Sequence, residues 1–185
     1  MAKKAIVILA DGFEEIEAIT PIDVLRRAGV EVTVAGVSDI KVKGSRGLIV
    51  EADKKLDEAG MDFDACVLPG GSVGAANLAA SLKVKSMIKA MNQNGKMIAA
   101  ICASPNAVLA PLGILKNRSV TGYPGLTENF GKETVYKEDN VVVDDNIITS
   151  RGPATALLFA LTIVQGLVGK ETSEKVKKAT LASLL

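Results

Sequence analysis

The sequence contains no histidine and no tryptophan, and only 3% of its residues are aromatic. Histidine is the usual general base near neutral pH, so its absence excludes a Cys-His or Ser-His-Asp triad within this chain and any histidine-ligated metal site. Two cysteines are also too few for a cysteine-rich zinc site or a disulfide framework. We therefore expect no metal centre, and a catalytic base must be Glu, Asp, Lys, Tyr or a thiolate.

The charge and hydropathy of the sequence indicate which partners the protein can bind and which cellular compartment suits it. The formal net charge is +1 and basic residues are spread along the chain, which, with so few aromatic side chains, predicts no sequence-specific nucleic-acid binding. Proline, glycine and polar residues interrupt the uncharged segments 98–115 and 152–169, which we interpret as core segments rather than membrane spans. The apolar run at residues 5–10 is too short for a signal peptide, and cysteine usage favours a reducing cytoplasm.

Short apolar runs alternate with helical patterns along the 185 residues, 48% of which are hydrophobic. The length suits a single domain over residues 1–185, and the alternation predicts an α/β fold whose mostly parallel sheet carries helices on both faces. Strands are expected at residues 5–10, 30–37, 64–68, 97–101, 119–122, 134–143 and 146–150, with short edge strands at 41–43 and 48–50. Helices are expected at residues 14–28, 75–80, 84–93, 153–168 and 173–185.

The first predicted helix, residues 14–28, begins with three glutamates. Acidic side chains complement the positive end of a helix dipole, which explains the first two as capping residues. The helical spacing of Ile16 and Ile19 predicts that these side chains are buried and that Glu17 lies partly toward the core. A buried carboxyl group without a cationic partner tends to be protonated, so Glu17 either shuttles a proton or, like its neighbours, only caps the helix. Pro21 is expected to kink or interrupt this helix.

A thiol stands at the junction of a predicted strand and a helical pattern. Residues 97–101 form an apolar run, Cys102 follows at once, and Pro105 fits the first turn of a helix. This order is typical of a nucleophile elbow, and a thiol at a helix N-terminus is expected to have a lowered pKa. The alternative is that Cys102 is a small buried core residue, as expected of Cys66 within its strand.

Three turns follow predicted strands and can meet at one edge of the sheet. In open parallel sheets, ligands bind beyond the carboxyl ends of the strands. The turns are residues 11–17, the Gly70-Gly71 pair and the Cys102 turn. The glycine pair is either a simple turn or a source of backbone N–H groups that, with the N–H of Ala103, form an oxyanion hole.

Four stretches together resemble the ThiJ/PfpI superfamily: VILADGFEEIEAITPIDVLRRAGVEVTVAG, LPGGSVGAANL, AAICASPNAVLA and TSRGPATALLFALTIV. The closest branch is the one that contains the human parkinsonism-associated protein and the bacterial YajL protein. The resemblance covers residues 4–178 and implies a flavodoxin-like three-layer sandwich, a homodimer and no cofactor.

The resemblance also implies roles for single residues. Cys102 is the reactive, oxidation-prone cysteine and Glu17 is its protonated partner. The backbone N–H groups of Gly70, Gly71 and Ala103 lie near the thiolate.

Two arginines and one tyrosine complete the implied site. Arg27 and Arg46 match family positions near the dimer interface, and Arg27 can reach the neighbouring subunit's site; the alternative is that both are solvated surface charges. Tyr123 stands where many members have a histidine, and it either binds a substrate oxygen or only fills the space. Ala103 stands where the protease branch has a histidine, which argues against peptidase activity.

Three functions follow from these observations. The family resemblance implies a glutathione-independent glyoxalase or deglycase that acts through Cys102 on methylglyoxal, glyoxal or their adducts with proteins and nucleic acids. The alternative is a redox-sensing cysteine protein or oxidative-stress chaperone, because an exposed thiolate is readily oxidised. A third possibility, a dimer that only binds partners, has no support in the sequence.

Overall fold

Seven strands form the central sheet of the computed structural model, which describes residues 2–184. The described residues contain eleven strands in all, four of them outside this sheet: β1 (Lys4–Leu9), β2 (Glu31–Gly36), β3 (Lys41–Lys43), β4 (Ile49–Glu51), β5 (Lys54–Lys55), β6 (Ala65–Leu68), β7 (Met97–Ile101), β8 (Ser119–Val120), β9 (Val135–Tyr136), β10 (Val141–Asp144) and β11 (Ile147–Ser150). The order across the sheet is β10-β11-β7-β6-β1-β2-β5, and all neighbours are parallel except β10 and β11. The predicted flavodoxin-like α/β fold is confirmed.

Helices cover both faces of this sheet. They are α1 (Glu15–Arg27), α2 (Ser72–Ala80), α3 (Leu82–Gln93), α4 (Ala156–Val168) and α5 (Lys170–Ala179). None of the described helices is both long and apolar enough to cross a lipid bilayer. The predicted helix at residues 173–185 starts earlier and ends at Ala179, and residue 185 lies outside the described residues. Pro21 lies inside α1 without interrupting it.

Strand β1 shows why the sequence folds in three layers. Its side chains alternate between two hydrophobic cores, with Val7 and Leu9 on the side of α1 and α4, and Ile6 and Ile8 on the side of α2 and α3. A parallel strand that is buried on both faces has a continuous apolar sequence, as this one does. Cys66 on β6 is fully buried in the second core, as predicted.

Two strand predictions are wrong. Residues 134–143 do not form one strand: β9 pairs with β8, β10 pairs with β11, and the polar residues 137–140 connect them. The strands at residues 41–43 and 49–51 are not sheet edges but form their own antiparallel hairpin. The edge strand beside β2 is β5, whose Lys54 and Lys55 carry charges that suit an unpaired strand edge.

Candidate active site

The candidate site lies at the carboxyl ends of the adjacent strands β1, β6 and β7. The sheet order reverses its direction beside β1, where β2 lies on one side and β6 on the other. Ligand sites in open α/β sheets form at such switch points. The turns after these strands hold residues 11–14, Gly70-Gly71 and Cys102, so the predicted meeting of the three turns is confirmed.

Cys102 lies on a sharp turn, and hydrogen bonds of its backbone N–H and carbonyl groups hold this turn in place. Its φ is 65°, in the left-handed region that side chains other than glycine rarely adopt. Its N–H donates to the Ser150 carbonyl at 2.9 Å, and its carbonyl accepts from the N–H of Tyr123 at 2.9 Å. The chain then continues as a π-helical turn, Pro105–Leu109, and not as the regular α-helix that the pattern predicts. A strained nucleophile position and a π-turn are both features that concentrate at functional sites.

Glu17 is fully buried directly behind Cys102. Its Oε2 accepts a 2.8 Å hydrogen bond from the N–H of Gly70, and its Oε1 is buried without a hydrogen-bond partner among residues 2–184. The thiol of Cys102 interacts with the same carboxyl group. The predicted burial of Glu17 is confirmed, but the reason for it is wrong, because Ile16 and Ile19 are 53% and 38% exposed. The buried face of α1 is instead the one that carries Glu17 and Ala18.

The three glutamates at the start of α1 have three different partners. Glu14 caps the helix as predicted, because its side chain accepts the N–H of Glu17 at 2.8 Å. Glu15 does not cap the helix but binds the β3–β4 hairpin, where it accepts hydrogen bonds from the Ser45 hydroxyl and the Arg46 N–H. Glu17 turns inward, and its carboxyl group is the one of the three that contacts the Cys102 thiol.

Burial raises the pKa of the Glu17 carboxyl group from its ordinary value of 4.5 to about 7. Desolvation is the largest cause, and the nearby Glu14 adds to it. Hydrogen bonds from the Cys102 thiol and the Gly70 N–H act in the opposite direction. Near neutral pH this group can therefore both donate and accept a proton, which is the property that a general acid–base needs.

The pKa of the Cys102 thiol is raised to about 12, so the predicted lowering is wrong. Burial is the largest cause, followed by the charge and hydrogen bond of Glu17, whereas the N–H groups of Gly71 and Ala103 lower it. The N–H groups at the start of the short π-helical turn lower the pKa of the thiol less than burial raises it. When Glu17 carries the proton, its negative charge is gone and its O–H can donate to the sulfur. The thiol and the carboxyl group therefore titrate as a pair.

The glycine turn fits closely against both reactive groups. A Cβ atom on Gly70 would lie 2.6 Å from Cys102 Cβ and 2.6 Å from Glu17 Oε2, so no larger residue fits there unless its neighbours move. Gly71 has a φ of 85°, which favours glycine, and its N–H lies with that of Ala103 beside the sulfur. The N–H of Gly70 differs from the expectation, because it serves Glu17 instead.

A cavity of about 820 Å³ opens above the thiol. Its lining includes Cys102, Ala103, Tyr123 and Arg46. Tyr123 lines this cavity and is 47% exposed, and whether it binds a substrate oxygen stays a prediction. Arg27 is not part of the site in this chain: it pairs with Asp23 at 2.6 Å on the last turn of α1, about 18 Å along the helix from its start.

Two polar residues of the elbow escaped prediction. Ser104 is fully buried and donates to the Pro69 carbonyl at 2.5 Å, which ties the elbow to the glycine turn. Asn106 is 3% exposed and bonds to the loop after Tyr123. The signal was present in the sequence, because polar side chains inside a long uncharged segment must find hydrogen-bond partners once they are buried.

Comparisons with known proteins identify relatives that span nearly the whole chain. The sequence matches the DJ-1/PfpI family over residues 3–166. The chain belongs to this family. It is 45% identical over 180 residues to the Parkinson disease protein 7 homolog of Danio rerio, with 95% of each chain covered. It is 39% identical over 181 residues to the glutathione-independent glyoxalase DJR-1.2 of Caenorhabditis elegans, with 95% of each covered. The structure of oxidized Toxoplasma gondii DJ-1 superimposes with a TM-score of 0.94 at 40% identity, covering 97% of this chain and 98% of that chain.

Proposed function

We propose that this member of the DJ-1/PfpI family is a cysteine-dependent, glutathione-independent glyoxalase and deglycase. Its substrates are methylglyoxal, glyoxal or their adducts with proteins and nucleic acids. The observation that carries the proposal is the contact between the Cys102 thiol and the buried Glu17, whose pKa is raised to about 7. A nucleophile beside a proton carrier matches the needs of an aldehyde rearrangement. The glyoxalase name of the nematode relative supports the same class.

The reaction begins at the aldehyde carbon of methylglyoxal. The Cys102 sulfur forms a bond to this carbon, the carbonyl π electrons move to the oxygen, and the thiol proton passes to Glu17. The N–H groups of Gly71 and Ala103, which already face the sulfur, stabilise the negative oxygen. Return of the proton to that oxygen gives a hemithioacetal.

Glu17 then performs an internal oxidation and reduction. It removes the proton from the former aldehyde carbon and returns a proton to the neighbouring carbon, through an enediol. The first carbon is oxidised to a thioester and the second is reduced to an alcohol, so no external oxidant is needed. Water cleaves the thioester and releases lactate and the free Cys102 thiol. With a hemiaminal adduct of methylglyoxal, the sulfur bonds to the carbon that carries the amine, the carbon–nitrogen bond breaks, and the amine leaves with the thiol proton. The same hemithioacetal forms and then follows the same steps.

Methylglyoxal consumption and lactate formation test the proposal. The proteins to compare are wild type, Cys102→Ala, Glu17→Gln and the matched control Cys66→Ala, whose thiol lies in the core away from the cavity. We expect lactate from wild type and the control, and a loss of about 100-fold or more in the other two, as is typical for a nucleophile or general acid–base. Full activity of Cys102→Ala and Glu17→Gln would exclude this mechanism.

A redox role is the second candidate, and one feature favours it. Glu17 Oε1 is buried without a partner on the carboxyl group that contacts the thiol. An oxygen added to the sulfur would accept a hydrogen bond from the protonated Oε1. Mild peroxide treatment followed by peptide mass spectrometry tests this role. We expect oxidation at Cys102 alone, and earlier oxidation of Cys66 would contradict it.

We also propose that the chain forms a homodimer through α1 and α4. The side chains of Ile16, Ile19 and Leu158 are 53%, 38% and 48% exposed on these two helices, which pack against each other. Exposed apolar side chains on two helices that pack against each other are a feature of interaction surfaces. Sedimentation of wild type and Ile16→Glu tests the proposal. We expect a dimer for wild type and a folded monomer for the variant, and a monomeric wild type would refute it.

A further inference from the structure

Asn106 connects the nucleophile elbow to a loop that shares no regular secondary structure with it. Its Nδ2 donates to Glu128 Oε1 at 2.9 Å, and its Oδ1 accepts the backbone N–H of Asn129 at 2.9 Å. Asn129 returns a 3.3 Å hydrogen bond from its own Nδ2 to the Asn106 carbonyl. Asn106 is almost completely buried, whereas both partners are exposed. The buried Asn106 side chain therefore fixes residues 128 and 129 of the exposed loop to the elbow.

The loop that Asn106 holds forms one wall of the cavity. Tyr123, Pro124, Gly125 and Leu126 line the same cavity as Cys102. Residues 123–129 have only turns and no strand or helix. Asn106 itself is not among the cavity residues. Its side chain does not contact a molecule in the cavity directly, and its hydrogen bonds lead to the loop that forms this wall.

A second anchor lies at the other end of the loop. The ring of Phe130 stacks on Tyr136 with centroids 6.0 Å apart, and the Tyr136 hydroxyl donates to the Gly122 carbonyl at 3.4 Å. The N–H of Tyr123 joins the start of the loop to the Cys102 carbonyl, and the Asn106 side chain makes the hydrogen bonds that join residues 128 and 129 to the elbow. An exposed segment of this kind is ordered only when such contacts offset its conformational entropy.

We propose that Asn106 is a positioning residue that fixes the wall carrying Tyr123 and Leu126 relative to the Cys102 thiol. The proposal rests on the aldehyde chemistry proposed above. The groups that make and break bonds are Cys102 and Glu17, which Asn106 does not touch through its side chain. Asn106 therefore affects how the group attached to the aldehyde carbonyl packs against the wall formed by Tyr123 and Leu126. The effect on binding grows with the size of that group.

Asn106→Asp tests the proposal with almost no change in shape. The aspartate keeps the acceptor for the Asn129 N–H but places a carboxylate against the Glu128 carboxylate, where the native Nδ2 donates at 2.9 Å. We expect KM for phenylglyoxal to rise about tenfold and KM for glyoxal less than about threefold, with kcat for both within about twofold of wild type. A purely structural loss would lower kcat for both aldehydes together.

A matched pair of variants separates this contact from a general loss of structure. Glu128→Gln retains an acceptor for Asn106 Nδ2 and should resemble wild type. The double variant Asn106→Asp with Glu128→Gln restores a donor–acceptor pair in the reverse direction, so KM for phenylglyoxal should return to within about twofold of wild type. Failure of this rescue, or an unchanged KM in Asn106→Asp, would overturn the proposal.

Hydrogen exchange of residues 123–130 measures the same contact without catalysis. We expect at least about tenfold faster exchange in Asn106→Asp and its reversal in the double variant. Unchanged exchange would overturn the proposal directly.

If wild type does not turn over aldehydes, the proposed function fails. The rates of Cys102 alkylation by iodoacetamide and by the bulkier N-phenylmaleimide then decide this inference: a selective change for the bulkier reagent supports it, and equal rates in all variants refute it.

Discussion

Replacement of Glu17 by glutamine should change how stability depends on pH. The Glu17 carboxyl group has a pKa of about 7 in the folded protein and an ordinary value of 4.5. Below the lower value, folded and unfolded chains both hold the proton. As the pH rises, the unfolded chain releases its proton first, so rising pH favours unfolding. The stability that the protonated group provides is therefore present at acidic pH and is lost as the pH rises through about 7.

The magnitude follows from the two pKa values. They differ by about 2.5, and each pKa unit corresponds to about 1.4 kcal/mol, so the full effect is about 3 kcal/mol. Between about pH 5 and pH 8, most of this difference is expressed, about 2.5 kcal/mol. Glutamine has nearly the same shape and stays neutral. The free energy of unfolding of wild type should therefore fall by this amount relative to Glu17→Gln.

Urea unfolding of both proteins at several pH values measures this difference, with thiols kept reduced. Cys102→Ala is the control, because burial is the largest cause of the raised pKa and remains when the thiol is removed. The control should therefore keep the pH dependence of wild type. Parallel curves for wild type and Glu17→Gln would refute the assignment of a protonated, buried Glu17.

Three further predictions concern the glycine turn, the buried Ser104 and the two cysteines. Gly70→Ala should lower activity by about 100-fold, because its Cβ would lie 2.6 Å from Cys102 Cβ, whereas Gly131→Ala has open space around it and should be neutral in the same kinetic assay. Ser104→Ala should lower the free energy of unfolding by about 1–3 kcal/mol in urea titrations, because it leaves a buried carbonyl group without its donor. Iodoacetamide should modify Cys102 but not the fully buried Cys66 in the folded protein, and both after unfolding, and mass spectrometry that finds Cys66 modified first would contradict the burial argument.

The central strands could be predicted well because strands that are buried on both faces consist of apolar residues. The predicted strand 97–101 matches Met97–Ile101 in full, and the run at residues 64–68 differs from Ala65–Leu68 by one residue. Strands that are buried on both faces need continuous apolar residues, which are easily recognised. The segment 134–143 alternates like a strand but contains the charged residues of a turn, and only the pairing partners β8 and β11 decide where it breaks.

The candidate site was harder to predict, because its properties depend on contacts between distant segments. The elbow pattern located Cys102, but the pKa of its thiol depends on burial and on Glu17, which is 85 positions earlier in the chain. The positions of Ile16 and Ile19 on α1 suggested core residues, yet the face that carries Glu17 is the buried one. Asn106 acts through Glu128 and Asn129, and no local pattern connects these residues.

Deuterium labelling of the product tests the central claim most directly, namely that Glu17 carries a proton between two carbons of a substrate bound to Cys102. Wild-type protein is given methylglyoxal in heavy water, and the lactate is examined by NMR. A proton carried by an exchangeable carboxyl group predicts deuterium at the carbon that bears the hydroxyl group. Lactate with only hydrogen at that carbon would show a direct transfer between the carbons and would contradict the role of Glu17.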